Sequence, residues 1–374
     1  PPRQSTHGAL NQMTANSRKA LFEPVEIGPH ALQNRIVMAP MTRSRAIGNI
    51  PNDLMAEYYG QRASAGLIVT EGTSPSPNGL GYPRIPGVFS QAQVEGWKKV
   101  TQAVHAGGAR IFLQLMHTGR VTHPLNLPEG AHMMAPSAVA AAGEMYTDAA
   151  GMQPQPVPAE MSREDIVATQ GEFVAAAKNA LAAGFDGVEL HAANGYLLEQ
   201  FLRPNSNIRG DEYGGAIANR CRFVTEVAAA TAEAIGRERV GIRLSPFGVF
   251  NDMPHYDALE DDYAYLTERL DELGLLYLHI VDHSAMGAPQ VPDSMKQTMR
   301  RLFRGAVILS GGYDPERAQR DIDAGKGDLI AVGRDFLANP DLPARWRGGS
   351  ALNKPDYDTF YTPGPKGYTD YPTL

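Results

Sequence analysis

Along this chain, short unbroken apolar runs alternate with longer stretches in which apolar residues recur at helical spacing. The first run, Ile36 to Pro40, precedes helix-like Leu54 to Ala65, and the second, Leu67 to Glu71, precedes helix-like Gln91 to Ala106. Arg110 to His117 predicts a third strand. A helix over Ser162 to Ala183, opened by the capping pattern Ser162-Arg163-Glu164-Asp165, leads to a fourth strand at Phe185 to Leu190. Helix Ala216 to Ala234 then leads to strand Val240 to Leu244, helix Leu259 to Leu273 to strand Leu275 to Val281, and helix Asp293 to Phe303 to strand Ala306 to Leu309. Helix Pro315 to Ala324, strand Leu329 to Val332 and a last helix from about Asn339 complete the series. Eight strands, each followed by a helix, are what a parallel barrel needs for closure. The pattern predicts a TIM (β/α)8 fold in preference to an open doubly wound sheet.

Two segments stand outside this rhythm. Leu21 to Arg35 contains VEIGPHALQNR, two strand-like pieces around a Gly-Pro turn, which predicts an N-terminal hairpin. Residues 118–161 are a Pro-, Ala- and Gly-rich insertion after the third strand, expected to cap the mouth of the barrel. Pro1 to about Ala20 is polar and aperiodic and reads as disordered or extraneous, with Met13 as the native start. Residues 21–374 then form one domain, without an internal repeat or a second core.

Composition narrows the function. With 43% hydrophobic residues in 374, the chain can bury a large core. No run reaches the roughly 18 consecutive apolar residues of a membrane span, and the start lacks a secretory pattern, so a cytoplasmic location is expected. A formal charge of -7 argues against general affinity for nucleic acid. The single cysteine excludes internal disulfides and any zinc or iron–sulfur site built from several cysteines of this chain. Cys221 shares a helical face with Val224, Val227 and Ala228 and reads as a small buried hydrophobe.

The candidate chemistry gathers at strand ends. In FDGVELHAANGYLLEQFL, residues 185–202, the period changes from strand to helix at His191. His191, Asn194 and Tyr196 thus fall at the C-terminal edge where parallel α/β folds bind ligands. A helix cap, a turn residue and a core aromatic would account for the same three. Strands seven and eight end in Ser310-Gly311-Gly312 and Gly333-Arg334-Asp335, the loops that in a barrel commonly cradle a phosphate. Ordinary turn chemistry is the alternative there. Neither GxGxxG after a strand nor GxxxxGK occurs, which argues against Rossmann and P-loop nucleotide domains. Thr42, Gly72, Gln114, His117 and Arg243 lie at or near other strand ends. Arg243, within the apolar run VGIRLSP, needs a partner or an anionic ligand if it is buried. His279 and His283 have the i, i+4 spacing of helical metal ligands, but their segment reads as a strand and its end, so no metal is expected.

Taken together, NRIVMAPMTRSR, YYGQRASAGLIVTEG, FLQLMHTGR, FDGVELHAANGYLLEQFLRPNSNIRGDEYGG, GIRLSP, AVGRDFLANPDL and GYTDYP resemble the Old Yellow Enzyme family of flavin-dependent ene-reductases. The resemblance runs from about Leu21 to the C-terminus and is greatest to the branch with N-ethylmaleimide and pentaerythritol tetranitrate reductases. It implies FMN at the barrel mouth and NADPH or NADH as reductant. The implied reaction is ping-pong reduction of the C=C bond in α,β-unsaturated carbonyl or nitro compounds. Ala39, Pro40, Met41, Thr42, Gly72, Gln114, His191 and Arg243 would contact the flavin, and Gly311, Gly312, Gly333 and Arg334 would hold its phosphate. Thr42 would bond the flavin O4, Gln114 the pyrimidine edge and Arg243 the N1/O2 region, where a fixed positive charge favours the reduced form.

The same resemblance implies that His191 and Asn194 donate hydrogen bonds to the activating oxygen. Tyr196 would protonate the α-carbon, since a phenol with a reference pKa near ~10 keeps its proton at neutral pH. Thr42, Tyr82, Met116 and Tyr361 would complete the substrate pocket. Where much of the family has tryptophan in QLWH, this chain has Met116, which predicts a roomier and more adaptable wall. Small-molecule alkenes and the nicotinamide are the expected partners, with the chain a monomer or homodimer. Two other readings use part of the pattern: a flavin-free barrel lyase or isomerase on a phosphorylated substrate, and a flavin-binding protein without turnover. The first leaves Thr42, Gln114 and Arg243 without a joint purpose, and the second leaves the proton donor Tyr196 without one.

Overall fold

The computed structural model describes residues 20–374, and the expectations for the segment before Ala20 lie outside the described residues. Eight parallel strands close a barrel: β1 (Ile36–Met38), β2 (Leu67–Val69), β3 (Arg110–Leu115), β4 (Gly187–Ala192), β5 (Val240–Leu244), β6 (Tyr277–Val281), β7 (Ala306–Ser310) and β8 (Leu329–Val332). Each pairs with the next, and β8 pairs with β1. Helices α1 (Asp53–Gln61), α2 (Gln91–Ala106), α3 (Arg163–Ala182), α4 (Arg222–Ile235), α5 (Leu259–Glu272), α6 (Asp293–Leu302) and α7 (Pro315–Asp323) follow successive strands. Short helices Arg334–Ala338 and Leu342–Gly348 follow β8. The fold is the TIM barrel that the alternation of runs predicts.

Strands buried on both faces read as nearly continuous apolar runs, and here the two faces serve two cores. Ile68, Leu113, Leu190, Ile242 and Leu278 face outward and pack with helix residues such as Trp97, Phe173 and Leu266. Val37, Leu67, Phe112, Tyr277, Ile308 and Leu329 belong to an inner core. The hairpin completes that inner core. Its strands Val25–Ile27 and His30–Leu32 pair antiparallel, and Ile27 and Leu32 pack with Leu276 just before β6, so they plug the end where the strands begin.

Toward the opposite end the inner face turns polar. Gln114 on β3, Glu189 and His191 on β4, Arg243 on β5 and His279 on β6 are all buried. His191, Arg243 and His279 stand in one cross-strand row. In VELH and in GIRL every second residue faces inward, so the polar groups share the interior while their neighbours join the outer core.

Several boundaries differ from the sequence expectation. β4 continues to Ala192, so His191 is a strand residue paired with Arg243 rather than the first residue beyond the strand. β3 ends at Leu115, which keeps one parallel bridge to Thr73, and beyond it His117 Nδ1 accepts from Gly119 N–H as the chain leaves the sheet. β6 begins at Tyr277, not Leu275. The helix expected over Ala216 to Ala234 is divided at Cys221 into Ile217–Arg220 and α4, with Arg220 tied to Gly215 O and Asp262. Cys221 is buried, and desolvation raises its thiol to about 11, in keeping with an inert hydrophobe. Ser162 and Asp165 form the expected capping box at α3.

Candidate active site

At the C-terminal ends of the strands lies a cavity of about 630 Å³. Its walls include Ala39, Pro40, Met41 and Thr42 after β1, Asn194 and Tyr196 after β4, and Arg243 of β5. Gly311, Gly312, Gly333, Arg334, Tyr82 and Tyr361 complete the expected residues that line it. Four expected residues do not line it: Gly72, Gln114, Met116 and His191. Gln114 is buried below, its Nε2 donating to Glu189 at 2.9 Å. Met116 is 1% exposed and packs with Leu80, Ile85, Tyr82 and Tyr196, behind the two tyrosines instead of forming the wall expected of it. Gly72 is the space Met116 uses, since a Cβ there would stand 2.5 Å from the methionine sulfur. His191 is 3% exposed and meets Tyr196 edge-on at 4.9 Å between ring centroids.

The donors are held in defined states. Asn194 adopts φ 58°, a left-handed conformation that asparagine tolerates better than most residues. Its N–H donates to Ser245 at 2.8 Å, its carbonyl accepts from Asn251 at 2.7 Å, and its Oδ1 accepts from His283 Nε2 at 2.7 Å. Burial lowers His283 to about 3, so the imidazole is neutral at physiological pH and the bond leaves the Asn194 amide N–H groups as donors. His191 is neutral as well, its pKa held well below the usual range by burial and then by Arg243. Its Nδ1 accepts from Ala193 N–H at 3.4 Å, which leaves the proton on Nε2, an atom without a partner among the described residues. Tyr196 and Tyr82 share a 2.8 Å hydrogen bond. Burial raises Tyr196 to about 12, so the phenol stays protonated.

Arg243 marks what the cavity is built to hold. It is 6% exposed, its Nε has no hydrogen-bond partner, and burial lowers its pKa while Glu189 opposes that shift. A desolvated guanidinium in this position fits a ligand that carries carbonyl oxygens and gains negative charge. Across the cavity Gly311 and Gly312 have φ of 135° and 65°, turning the backbone in a way an L side chain resists. A Cβ at Gly311 would lie 2.1 Å from Asp282 O. Gly333 opens toward Met41, 3.6 Å from where its Cβ would be, and Arg334 reaches Tyr357 OH at 2.9 Å. An arginine at one end and a glycine cradle with a second arginine at the other fit the pyrimidine edge and the phosphate of FMN.

The C-terminal segment supplies a wall that sequence reasoning placed only at Tyr361. Tyr357, Phe360 and Tyr361 all line the cavity. Buried Arg43 and Arg45 donate to the carbonyls of Phe360, Lys366 and Gly367 at 2.6 to 3.1 Å, and Arg84 donates to Tyr361 O at 2.8 Å. Asp148, from the insertion, is paired with Arg84. No residue of 118–161 lines the cavity; the insertion braces its rim through this pair.

The sequence profile of the NADH:flavin oxidoreductase / NADH oxidase family matches residues 20–353. The old yellow enzyme homologue from Zymomonas mobilis is 41% identical, with a TM-score of 0.90 over 95% of this chain and 100% of that one. The chain belongs to the Old Yellow Enzyme family. It is an FMN-dependent oxidoreductase that takes its electrons from NADH or NADPH. Morphinone reductase is 46% identical with a TM-score of 0.91, over 95% of this chain and 96% of that one. A probable flavin mononucleotide-dependent alkene reductase of Leishmania infantum is 42% identical over 372 residues, 97% of this chain and 100% of the relative.

In this Old Yellow Enzyme family member, sequence reasoning missed the part that several residues play in building the site. His283 orients Asn194, Phe250 and Asn251 line the cavity, and Glu189 anchors Gln114. Only Glu189 carried a readable signal, an acid inside an apolar strand run. His279 donates to that acid from Nδ1 at 3.0 Å, so the two histidines that hinted at a metal serve separate partners.

Proposed function

We propose that the enzyme reduces activated alkenes, those conjugated to a carbonyl or nitro group, with Tyr196 as proton donor and His191 and Asn194 as the pair that binds the activating oxygen. The observation that carries this reading is the Asn194 amide beside the protonated phenol of Tyr196 on the cavity wall, with neutral His191 packed edge-on to that phenol. When bound, FMN supplies the hydride. Arg243 would face its N1/O2 region, Thr42 its O4 and Gln114 its pyrimidine edge, with Gly311, Gly312, Gly333 and Arg334 about its phosphate. As negative charge grows on the substrate oxygen, Asn194 Nδ2–H and His191 Nε2–H stabilise it without losing their protons. Their neutrality matters, because a cationic imidazole would be a stronger acid than the phenol and would compete with Tyr196 as the source of the proton. Tyr82, donating to Tyr196, would stabilise the phenolate left after transfer. Neither competing reading employs this group: a lyase on a phosphorylated sugar has no use for the Asn194 and His283 arrangement, and storage of a flavin needs no proton donor.

The test is an anaerobic spectrum of the purified protein, with NADPH and then 2-cyclohexenone added. The expected result is bleaching of the flavin absorbance by NADPH and its return with the enone. Bleaching without recovery would refute the alkene assignment and leave the flavin oxidoreductase. Fuller proposals follow from the same reading: residues 21–374 act as one catalytic domain, and small molecules are its only reactants. Among the described residues no helix is long and apolar enough to cross a membrane.

A further inference from the structure

Beneath the cavity floor lies a carboxylate for which the proposed reaction provides no task. Glu189 is fully buried on β4. Its Oε1 accepts from Gln114 Nε2 at 2.9 Å, and its Oε2 accepts from Tyr277 OH at 2.7 Å and from His279 Nδ1 at 3.0 Å. These partners come from two strands, β3 and β6. Tyr277, on β6, reaches across β5 because residue 241 there is glycine, whose Cβ would stand 2.2 Å from the Tyr277 ring. Such a position is expensive for an ionised acid unless it is fully bonded. The donors do keep Glu189 ionised, holding it at about 2 against the opposing effect of burial, with His279 the largest favourable influence and Arg243 contributing.

We propose that Glu189 is a positioning residue that sets the reduction potential of the bound flavin. It acts in two ways. By accepting from Gln114 Nε2, it fixes the amide so that Oε1 is free to accept from the ligand above. By placing a negative charge under Arg243, it offsets part of the positive field that favours the reduced flavin. The inference rests on the reading that FMN lies over Arg243 and Gln114, and goes beyond it by assigning the layer below.

The experiment measures the two-electron reduction potential of the FMN-loaded protein by anaerobic dye-coupled spectrophotometry, for the parent and for Glu189→Gln, Glu189→Asp and Tyr277→Phe. Removing the charge leaves Arg243 less opposed, so Glu189→Gln should favour the reduced flavin at least tenfold, about 30 mV upward for a two-electron couple. Glu189→Asp keeps the charge and should stay within threefold of the parent. Tyr277→Phe withdraws a donor from the carboxylate and strengthens its field, so its shift should be at least twofold in the opposite direction. That last variant carries the test if Glu189→Gln does not fold. Potentials of Glu189→Gln and Tyr277→Phe both unchanged, or moved in the same direction, would overturn the proposal. A parent protein that does not take up FMN would instead overturn the cofactor placement on which it rests.

Discussion

Replacing Tyr196 with phenylalanine removes one oxygen from the cavity wall and nothing from the packing around it. The ring remains edge-on to His191 at 4.9 Å and to Tyr82 at 5.9 Å, so the fold should be unaffected. A positioned general acid contributes roughly 10²- to 10⁴-fold, or about 3 to 5 kcal/mol of barrier. Tyr196, at about 12, is a weak acid whose phenolate is helped by the 2.8 Å bond from Tyr82. That single bond is worth about 1 kcal/mol, so Tyr82→Phe should slow enone reduction about fivefold. Tyr196→Phe should slow it by about 100-fold or more. Stopped-flow measurement of the two half-reactions separates protonation from electron supply: flavin reduction by NADPH should change by less than about twofold in both variants, because no phenol proton is needed there. Equal losses in the two half-reactions, or a larger loss from Tyr82→Phe than from Tyr196→Phe, would show that Tyr196 is not the donor.

Two other consequences, at His117 and Gly241, are independent of the alkene. His117 is buried and its pKa falls from 6.5 to about 4 by desolvation, so the unfolded chain binds a proton that the folded chain refuses between those values. Its contribution to stability is complete above pH 6.5 and declines as pH falls, by about 3 kcal/mol at pH 4. Glu71, raised to about 7 by burial, works in the opposite sense, so the comparison must be made between parent and His117→Asn in urea at pH 7 and pH 4.5. The parent should lose more stability than the variant on acidification; parallel loss would contradict the argument. Gly241→Ala should lower stability by about 1 to 3 kcal/mol through overpacking against Tyr277, and an unchanged melting temperature would contradict the close approach. Met116→Trp should alter product enantiomer ratios over a set of enones by displacing Tyr82 and Tyr196, both of which pack on Met116. Constant ratios across the set would mean that the two tyrosines do not transmit the change.

The barrel was legible because each strand announces itself twice. A parallel strand enclosed by helices is apolar on both faces, and the following helix has its own period, so the count of units reached eight without any contact being known. Arg243 was legible for a related reason: a permanent cation inside an apolar run has to be satisfied by something. Glu189 sent the same signal two positions before His191, inside the strand expected over Phe185 to Leu190, and was passed over. Boundaries were harder. Whether β4 stops at Leu190 or continues through His191 depends on its ladder with β5, a contact between residues about fifty positions apart.

The sequence by itself determined the order of strands and helices, the hairpin, and the inventory of polar groups at strand ends, since these follow from local periodicity and from residue chemistry. Only the tertiary structure decided which of those groups meet. It placed Met116 behind the tyrosines of the cavity wall, tied Gln114 to Glu189 at the cavity floor, turned His283 toward Asn194, and brought Phe360 to the cavity through arginines more than 300 positions away in the chain. Closing the barrel turns strand register into distance, and no local pattern encodes the register between strands that the sequence keeps apart.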